Sequence, residues 1–141
     1  MHATSSKGNI CVARATADLI TKGYDVLLPV CSTSPFDLAI YADERFRRVQ
    51  VKYITASDGI MFVDSVRKSI WQGKVRKERN TEIDIICAFS PDTDKCYYVL
   101  AADAPITLRF TAPKNGQRSG VSWAFDYLEL PLDPIAALAA E

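Results

Sequence analysis

Histidine is almost absent from this chain of 141 residues, because the only one is His2, next to the amino terminus. A serine–histidine–aspartate triad, or a cysteine–histidine pair, needs a histidine held beside its nucleophile. We expect His2 to lie in a poorly ordered terminus. The shortage of histidine therefore argues against both kinds of catalytic site.

The four cysteines form no CxxC pair and show no zinc-ligand spacing. They are Cys11, Cys31, Cys87 and Cys96. Three of them stand in apolar runs or on a helix face of small residues. We expect buried free thiols in a reducing compartment.

Long apolar runs, a signal-peptide core and a glycine-rich phosphate loop are also missing. No apolar run reaches the length that spans a bilayer, and the start "MHATSSKGN" has no hydrophobic core. The segments "KNG" and "SDG" are turn signals rather than phosphate loops. We therefore expect an intracellular protein, cytoplasmic or associated with the nucleoid, that does not bind membranes. Its length and its 48% of hydrophobic residues predict a single domain over residues 1–141.

Alternating apolar and polar residues predict two neighbouring strands, over residues 36–41 and 49–53. The polar segment 42–45 between them favours a tight turn, so the pair is predicted to form an antiparallel hairpin. Phe36 and Leu38 belong to the apolar face of the first strand. The residue between them therefore points to the opposite face.

That residue is Asp37, and the hairpin is predicted to bring it close to Gln50 and Lys52, within about 5–8 Å on one face. A carboxylate and an amide oxygen can share a hard cation such as Mg²⁺. A lysine two residues along can hold a water or stabilise charge on a phosphate. The same alternation is also typical of an ordinary hairpin with one face in water.

The chain has no net charge, with 17 basic and 17 acidic residues, but residues 45–79 hold ten basic residues against three acidic ones. Such a polarised chain suits a polyanionic partner, although a basic run can also be a solvated face. Because the run follows the predicted site directly, it indicates a phosphate backbone. With two residues of the loop "TAPKNGQRSG", the predicted DNA contacts are Arg45, Arg47, Arg48, Arg67, Lys68, Lys74, Arg76, Lys77, Arg79, Lys114 and Arg118.

The start of the chain predicts a helix over residues 7–22, capped by Ser5 or Ser6 and ended by Gly23. The apolar residues at helical spacing, which predict its buried face, are Ile10, Ala13, Ala17 and Ile20.

Further strands are predicted after this first part, so that the chain forms a mixed α/β sandwich around one sheet. Beyond residues 24–30 and the hairpin, the predicted strands are 60–66, 83–89 and 97–101. The strand 60–66 follows an Asp58-Gly59 turn as the third strand of a meander, and the strand 83–89 is expected in the centre of the sheet.

Residues 67–80 are predicted to form a loop or a short mobile helix. Ile70 and Trp71 are expected to pack on the sheet, with stacking of Trp71 on a base as the alternative. Residues 121–130 are ambiguous between helix and strand, and their aromatic residues are expected in the core or in a subunit interface.

The motifs Pro35-Phe36-Asp37 and Gln50-Val51-Lys52 together resemble the PD-(D/E)XK nuclease superfamily, and especially its branch of small group I intron endonucleases with QXK in place of (D/E)XK. Segments in the same order along nearly the whole chain are also similar to that branch: "KGNICVARATADLITKGYDV", "EIDIICAFSPDTDKCYYV" and "APKNGQRSGVSWAFDYLEL". The resemblance implies the mixed β-sheet of the restriction-endonuclease type, with an N-terminal helix packed on it.

The resemblance also implies hydrolysis of double-stranded DNA with Mg²⁺, for which Mn²⁺ substitutes. Asp37 and Gln50 would then ligate the metal ion, together with the backbone carbonyl of Val51. Lys52 would orient the attacking water or stabilise the phosphate in the transition state. Intron-encoded members of this kind act as symmetric oligomers on long sites, which implies a homodimer or homotetramer here.

One position departs from the pattern of that branch, in which the first helix presents a glutamate to the metal. The corresponding residue here is Val12, which cannot ligate, and Asp18 lies about 120° away around the helix. Three interpretations remain open. They are a homing endonuclease, a DNA-binding remnant of such an enzyme that has lost cleavage, and a resolvase or repair nuclease acting on branched DNA.

Overall fold

The structure is a computed structural model that describes residues 3–132, with side chains from Ser6 onward, so His2 lies outside the described residues. The helix and strands of this part are α1 Ala3–Thr21, β1 Asp25–Leu27, β2 Leu38–Ala42, β3 Arg45–Tyr53, β4 Ile60–Val63, β5 Val66–Trp71, β6 Lys74–Arg79, β7 Ile85–Ser90, β8 Lys95–Leu100, β9 Ile106–Arg109 and β10 Ser122–Trp123. Two short 3-10 helices, Ala101–Asp103 and Ala124–Tyr127, complete the regular structure.

A five-stranded mixed sheet forms the centre of the molecule, in the order β1-β2-β3-β7-β8. β3 and β7 are parallel, and the other neighbours are antiparallel. Every residue of β7 is buried, as the continuous apolar run predicts. α1 packs on one face of this sheet. The predicted fold class, a mixed α/β sheet with an N-terminal helix on it, is confirmed.

The helix packs with a different face from the predicted one. Cys11, Ala15 and Leu19 are buried against the sheet, whereas Ile10 is 45% and Ile20 58% exposed. The buried residues recur every four positions and include two small side chains, which let the helix lie close to the strands. Ala13 and Ala17 are exposed as well, so the predicted stripe is wrong.

The helix also begins earlier than predicted, while its end is where glycine was expected. Because α1 starts at Ala3, Ser5 and Ser6 lie within the helix and not at its N-cap position. Gly23 has φ +94°, and its N–H donates to the Ile20 carbonyl at 2.9 Å. This left-handed residue terminates the helix in the usual way.

A second sheet of three strands, β10-β9-β4, covers the other face of the central sheet. The predicted Asp58-Gly59 turn is confirmed, since both residues have positive φ (52° and 73°). The strand that follows, β4, pairs with β9 and not with β3, so its predicted place in a single meander is wrong. Met61 and Val63 are buried in the core between the two sheets, and this burial selects the pairing.

Residues 66–79 form a two-stranded antiparallel ribbon of β5 and β6, where a loop or short helix was predicted. Gln72 and Gly73, both with positive φ, make the two-residue turn that suits a twisted hairpin. The residues of the ribbon are exposed except for the half-buried Val66. At its root, the N–H of Asn80 donates to the carbonyl of Ser65 at 2.8 Å. We call residues 66–79 the ribbon.

The cysteines are free, as predicted. Cys11, Cys87 and Cys96 are buried, and Cys31 is exposed. In the part of the chain that the structure describes, no helix combines the length and the apolar character needed to cross a membrane.

Candidate active site

An open cleft of about 810 Å³ lies where the end of β3 meets β4 and the root of the ribbon. We call it the basic cleft, because its lining contains four cationic residues and one acid. The lining residues are Gln50, Lys52, Tyr53, Ile54, Phe62, Asp64, Val66, Arg67, Lys68 and Lys77. Two of the three predicted site residues, Gln50 and Lys52, therefore share this cleft.

Lys52 is held in the wall of the basic cleft by two acceptors. Its Nζ donates to Asp64 Oδ1 at 2.5 Å and to the Val66 carbonyl at 3.1 Å. The side chain is only 19% exposed. A lysine usually has three freely rotating donors on a flexible chain, so these bonds fix an otherwise mobile charge.

Asp64 is a site residue that the sequence did not reveal. The N–H of Val66 also donates to its Oδ1, at 3.0 Å. Partial burial alone would raise its pKa, but the bonds from Lys52 and from the Val66 amide hold the pKa of this carboxyl below its usual value. Asp64 ends an apolar strand directly before the basic segment, which is the only local signal. Its partner lies twelve residues earlier and becomes visible only in the fold.

Gln50 carries an unpaired acceptor: its Oε1 is buried and has no hydrogen-bond partner in the structure. A buried polar atom without a partner costs about 1–3 kcal/mol. Buried acceptors are almost always satisfied in native proteins, by protein atoms, by water or by an ion. An unpaired amide oxygen two residues from Lys52 is of the type that hard cations bind.

Asp37 joins the site through the backbone of β3. Its Oδ2 accepts the N–H of Val51 at 2.7 Å, and Val51 stands between Gln50 and Lys52. Burial raises the pKa of Asp37, and the Val51 bond opposes that rise. On the side of α1, burial and then the charge of Asp37 raise the pKa of Cys11 to about 11.

Asp37 is not part of the lining of the basic cleft. The prediction that Asp37 shares a face with Gln50 and Lys52 assumed that the side chains of Phe36 and Leu38 point to the same side of the sheet. Instead Phe36 packs in the core beside β4, and Leu38 packs in the core beneath α1. The alternation therefore breaks at the start of β2, and Asp37 meets β3 at the edge of the cleft wall.

Val12 is partly buried and packs against the core beneath α1. It supplies an apolar contact at the helix position where the resemblance implies an acid. Among residues 3–132, no group of three or more histidine, cysteine, aspartate or glutamate side chains is placed to hold a metal ion. A metal site built from these residues would therefore use at most two such side chains, with amide, backbone, water or substrate oxygens as the other ligands.

The ribbon presents two different faces, which the strand register defines. One face points to the basic cleft, since Lys68 lies directly opposite Lys77 and both line the cleft. Arg79 is on this cleft face near the root, and Ile70 and Val75 are on it near the tip. The cleft face thus combines three cations with an apolar end.

The other face of the ribbon, the outer face, carries mixed charges and the indole of Trp71. Arg76 forms an ion pair with Glu78 at 3.1 Å. Ile70 and Trp71 are 78% and 61% exposed, so the prediction that they pack on a sheet is wrong. The remaining residues of this face are Arg67, Ser69 and Lys74, of which Arg67 also lines the cleft at the root.

Three predicted DNA contacts lie at the other end of β3. Arg48 forms two hydrogen bonds with the carboxylate of Asp84, both at 3.1 Å. Arg47 is only 4% exposed and donates to the Ala42 carbonyl, so the prediction that it contacts DNA is wrong. Arg45 is exposed, but it is seven residues and about 23 Å along the strand from Lys52.

Lys114 and Arg118 are exposed in the loop over residues 110–121, which has no helix or strand, as predicted. The loop follows Arg109, which pairs with Ile60 at the end of β4 that is remote from the ribbon. Lys114 lines a separate concavity with Asp58 and Arg109. The structure therefore does not bring these two cations to the basic cleft.

Comparisons with known proteins place the chain in a family and match its fold. A family model described as PD-(D/E)XK endonuclease matches residues 2–130. The solved structure of a bacterial homing endonuclease, I-Ssp6803I, is similar, with a TM-score of 0.67 over 89% of this chain and 88% of that chain. The identity is 20%, so this likeness shows a shared fold. No match was found among curated proteins.

Proposed function

We propose that this chain, which belongs to the PD-(D/E)XK endonuclease family, is a metal-dependent endonuclease that hydrolyses phosphodiester bonds of double-stranded DNA. One observation carries the proposal. The unpaired Gln50 oxygen and the fixed ammonium of Lys52 share a cleft whose rim holds Lys68 and Lys77. An oxygen suits a hard cation, and rim cations suit a phosphate backbone.

The proposed metal ligands are Asp37, Gln50 and the backbone carbonyl of Val51. All three donate oxygen, which Mg²⁺ requires and Mn²⁺ accepts. The Gln50 oxygen lacks a partner that a cation would supply, and a bound cation would favour the charged form of the half-buried Asp37, which burial disfavours. These residues would hold an ion that, when bound, would neutralise charge at the phosphate and lower the pKa of a bound water. Because the site has one carboxylate, we expect substrate phosphate and water to provide the other ligands.

Lys52 is proposed to stabilise negative charge on the scissile phosphate or to orient the attacking water. Asp64 and Val66 fix its ammonium before substrate arrives. A donor that is already in place needs no reorganisation during the reaction, and this is the main source of electrostatic catalysis. The bond from Val51 to Asp37 likewise keeps the carboxylate aligned with β3.

The ribbon is proposed to enter the major groove of the duplex. The major groove, about 12 Å wide, admits a two-stranded ribbon. The proposed contacts on the ribbon are Arg67, Lys68, Lys74, Arg76, Lys77 and Arg79. The exposed residues Arg45, Lys114 and Arg118 are proposed to reach phosphates farther along a long site.

A group I intron homing endonuclease, acting inside the cell as a homodimer or homotetramer, is the specific form that we propose. The shared fold with a bacterial homing endonuclease supports it. The β1 edge of the central sheet supports self-association, because Leu27, Tyr41 and Phe46 are exposed there and form an apolar hollow. Monomers rarely leave such patches uncovered.

A DNA-binding remnant without cleavage is the second candidate, and Val12 is the observation that favours it. An apolar side chain packs where the resemblance implies a metal-facing acid, and Asp64 is engaged by Lys52. Both leave Asp37 as the single carboxylate among the proposed ligands.

Supercoiled plasmid and a genomic fragment library, each incubated with Mg²⁺ or Mn²⁺, test the proposal. We expect nicking or linearisation that Asp37→Asn and Lys52→Ala abolish, with DNA affinity changed less than about threefold. Asp103→Asn, an exposed acid far from the cleft in sequence, is the matched control.

Two results would decide between the candidates. Duplex binding without cleavage on any fragment establishes the remnant and rejects the nuclease. Cleavage of a four-way junction in preference to linear duplex identifies a branched-DNA nuclease instead.

A further inference from the structure

The root of the ribbon is bonded to both halves of the proposed active site. On the side of β5, Asp64 Oδ1 accepts from Lys52 Nζ and from the N–H of Val66, the first ribbon residue. The Val66 carbonyl accepts from the same ammonium. Three hydrogen bonds thus link Lys52, Asp64 and Val66, which is the first residue of the ribbon.

On the side of β6, Asn80 makes the corresponding connection. Its Nδ2 donates to the Pro35 carbonyl at 2.8 Å, two residues before Asp37. Its Oδ1 accepts the N–H of Glu82 at 3.0 Å, and its own N–H donates to the Ser65 carbonyl. Asn80 is 5% exposed, so these bonds are shielded from water. Buried bonds of this kind are costly to break and hold geometry closely.

We propose that Asp64 and Asn80 are positioning residues that couple the ribbon to the active site, so that DNA held by the ribbon sets the placement of Lys52 and of the segment 35–37. This inference rests on the proposed function. The ribbon is exposed along its length, and in this proposal a change in the angle of the ribbon reaches Lys52 and the segment 35–37 through its root. The root has no other buried side chain that hydrogen-bonds the segment 35–37 among the bonds seen in residues 3–132.

The first test measures backbone hydrogen exchange without any metal, so it does not depend on cleavage. Duplex DNA added in the presence of EDTA should slow exchange several-fold in the ribbon and also at the Val51 amide, which donates to Asp37. Asn80→Asp keeps an acceptor for Glu82 but lacks the donor to Pro35. In that variant we expect ribbon protection to persist and Val51 protection to be lost.

The outcomes separate the coupling from the function. Ribbon protection with an unchanged Val51 amide in the wild type overturns the coupling alone. Equal protection of Val51 in wild type and Asn80→Asp also overturns it. If duplex DNA protects neither region of the wild type, the proposed function fails and the coupling fails with it.

The second test uses steady-state cleavage. Asp64→Ala should lower kcat about 10- to 100-fold at nearly unchanged DNA affinity, because it releases Lys52. Asp64→Asn keeps an acceptor oxygen and should restore part of that loss, while Asp103→Asn serves as the control. An unchanged kcat in Asp64→Ala contradicts the positioning role. A higher Mg²⁺ requirement in Asp64→Asn would show that Asp64 is a ligand instead.

Discussion

Two side chains of the site are held in states that are unfavourable without a ligand. Burial raises the pKa of Asp37, so its charged form is disfavoured, and the Gln50 oxygen is buried without a partner. Costs of this kind cluster at functional sites. Under the proposed function, a cation bound by both oxygens would offset both costs.

The pH dependence of stability should report the charge on Asp37. Its folded pKa is raised, so the folded state binds the proton more tightly than the unfolded state, and stability is lost as pH rises from about 4 through the folded value. In EDTA, Asp37→Asn should therefore be more stable than wild type at pH 7 and equal to it below pH 4. Urea unfolding at both pH values checks this. A variant less stable than wild type at pH 7 would mean that the charged carboxylate stabilises the fold.

Val12→Glu tests whether the helix position opens onto the metal site. Without metal, the added carboxylate should cost about 1–3 kcal/mol, because Val12 packs on the core. Mg²⁺ should recover part of that loss if the new acid reaches the ion. Ala13→Glu, at the exposed neighbouring position, is the matched control and should respond to neither. Thermal unfolding with and without Mg²⁺ gives the comparison, and a loss that Mg²⁺ leaves unchanged places Val12 away from the metal.

At the scale of single residues, the sequence predicts which residues belong to the site better than it predicts the hydrogen-bond partners and the burial of their side chains. Gln50 and Lys52 share a cleft as expected, because they are two apart on one strand. Asp64 was missed, since an isolated acid after a strand carries no sign of a lysine twelve positions away. Arg47 looked like a surface cation, and only the tertiary structure shows that it is buried.

At the scale of elements, the ribbon is the part on which charge and shape act together. Lys68 and Lys77 face each other across its two strands. Like charges in that arrangement repel, and bound phosphate relieves the repulsion. The cleft face should therefore dominate salt-dependent binding, while Arg76 on the outer face is already paired with Glu78.

Two double variants compare the faces of the ribbon. Lys68→Gln/Lys77→Gln should reduce the slope of log K against log salt by about 2 on duplex DNA, since each phosphate contact contributes about 0.9. Lys74→Gln/Arg76→Gln removes the same charge from the outer face and should reduce it by less. Fluorescence anisotropy over a salt series measures both slopes. Equal slopes for the two variants would contradict the assignment of the cleft face.

The ribbon also shows why some elements escape prediction. A strand is recognised by one apolar face, but the ribbon buries neither face, so its alternation carries no hydrophobic signal. The helix α1 fails in another way, because Ile10 and Ile20 are apolar yet exposed, while the buried stripe uses Ala15 and a cysteine. β7 was predicted well because a strand buried on both faces is apolar throughout.

At the scale of the molecule, the central sheet is covered by α1 on one face and by the second sheet on the other, and no strand of residues 3–132 pairs with its β1 edge beyond β2. Tyr41 and Phe46 are in ring contact there, with centroids 4.9 Å apart, and Phe46 is 63% exposed. An edge strand beside exposed aromatic residues is a ready surface for a second copy.

Phe46→Glu should accordingly shift the protein towards monomer at micromolar concentration. Phe125→Glu is the control, because Phe125 is 66% exposed elsewhere and stacks on Trp123. Light scattering coupled to size exclusion measures the mass of both variants. If Phe125→Glu dissociates the protein and Phe46→Glu does not, the interface lies at Phe125 and not at the β1 edge.

The chain leaves the body at Ser65 and returns at Asn80, and one backbone hydrogen bond of 2.8 Å spans the two ends. We expect that a hairpin of another sequence and the same register can be exchanged between these two points without disturbing the strands of either sheet. Under the proposed function, the body that holds the active site and the ribbon that contacts DNA can therefore diverge at different rates. If the ribbon reads DNA as proposed, we expect new target preferences to arise by transplanting its fourteen residues, provided that Asp64 and Asn80 stay in place.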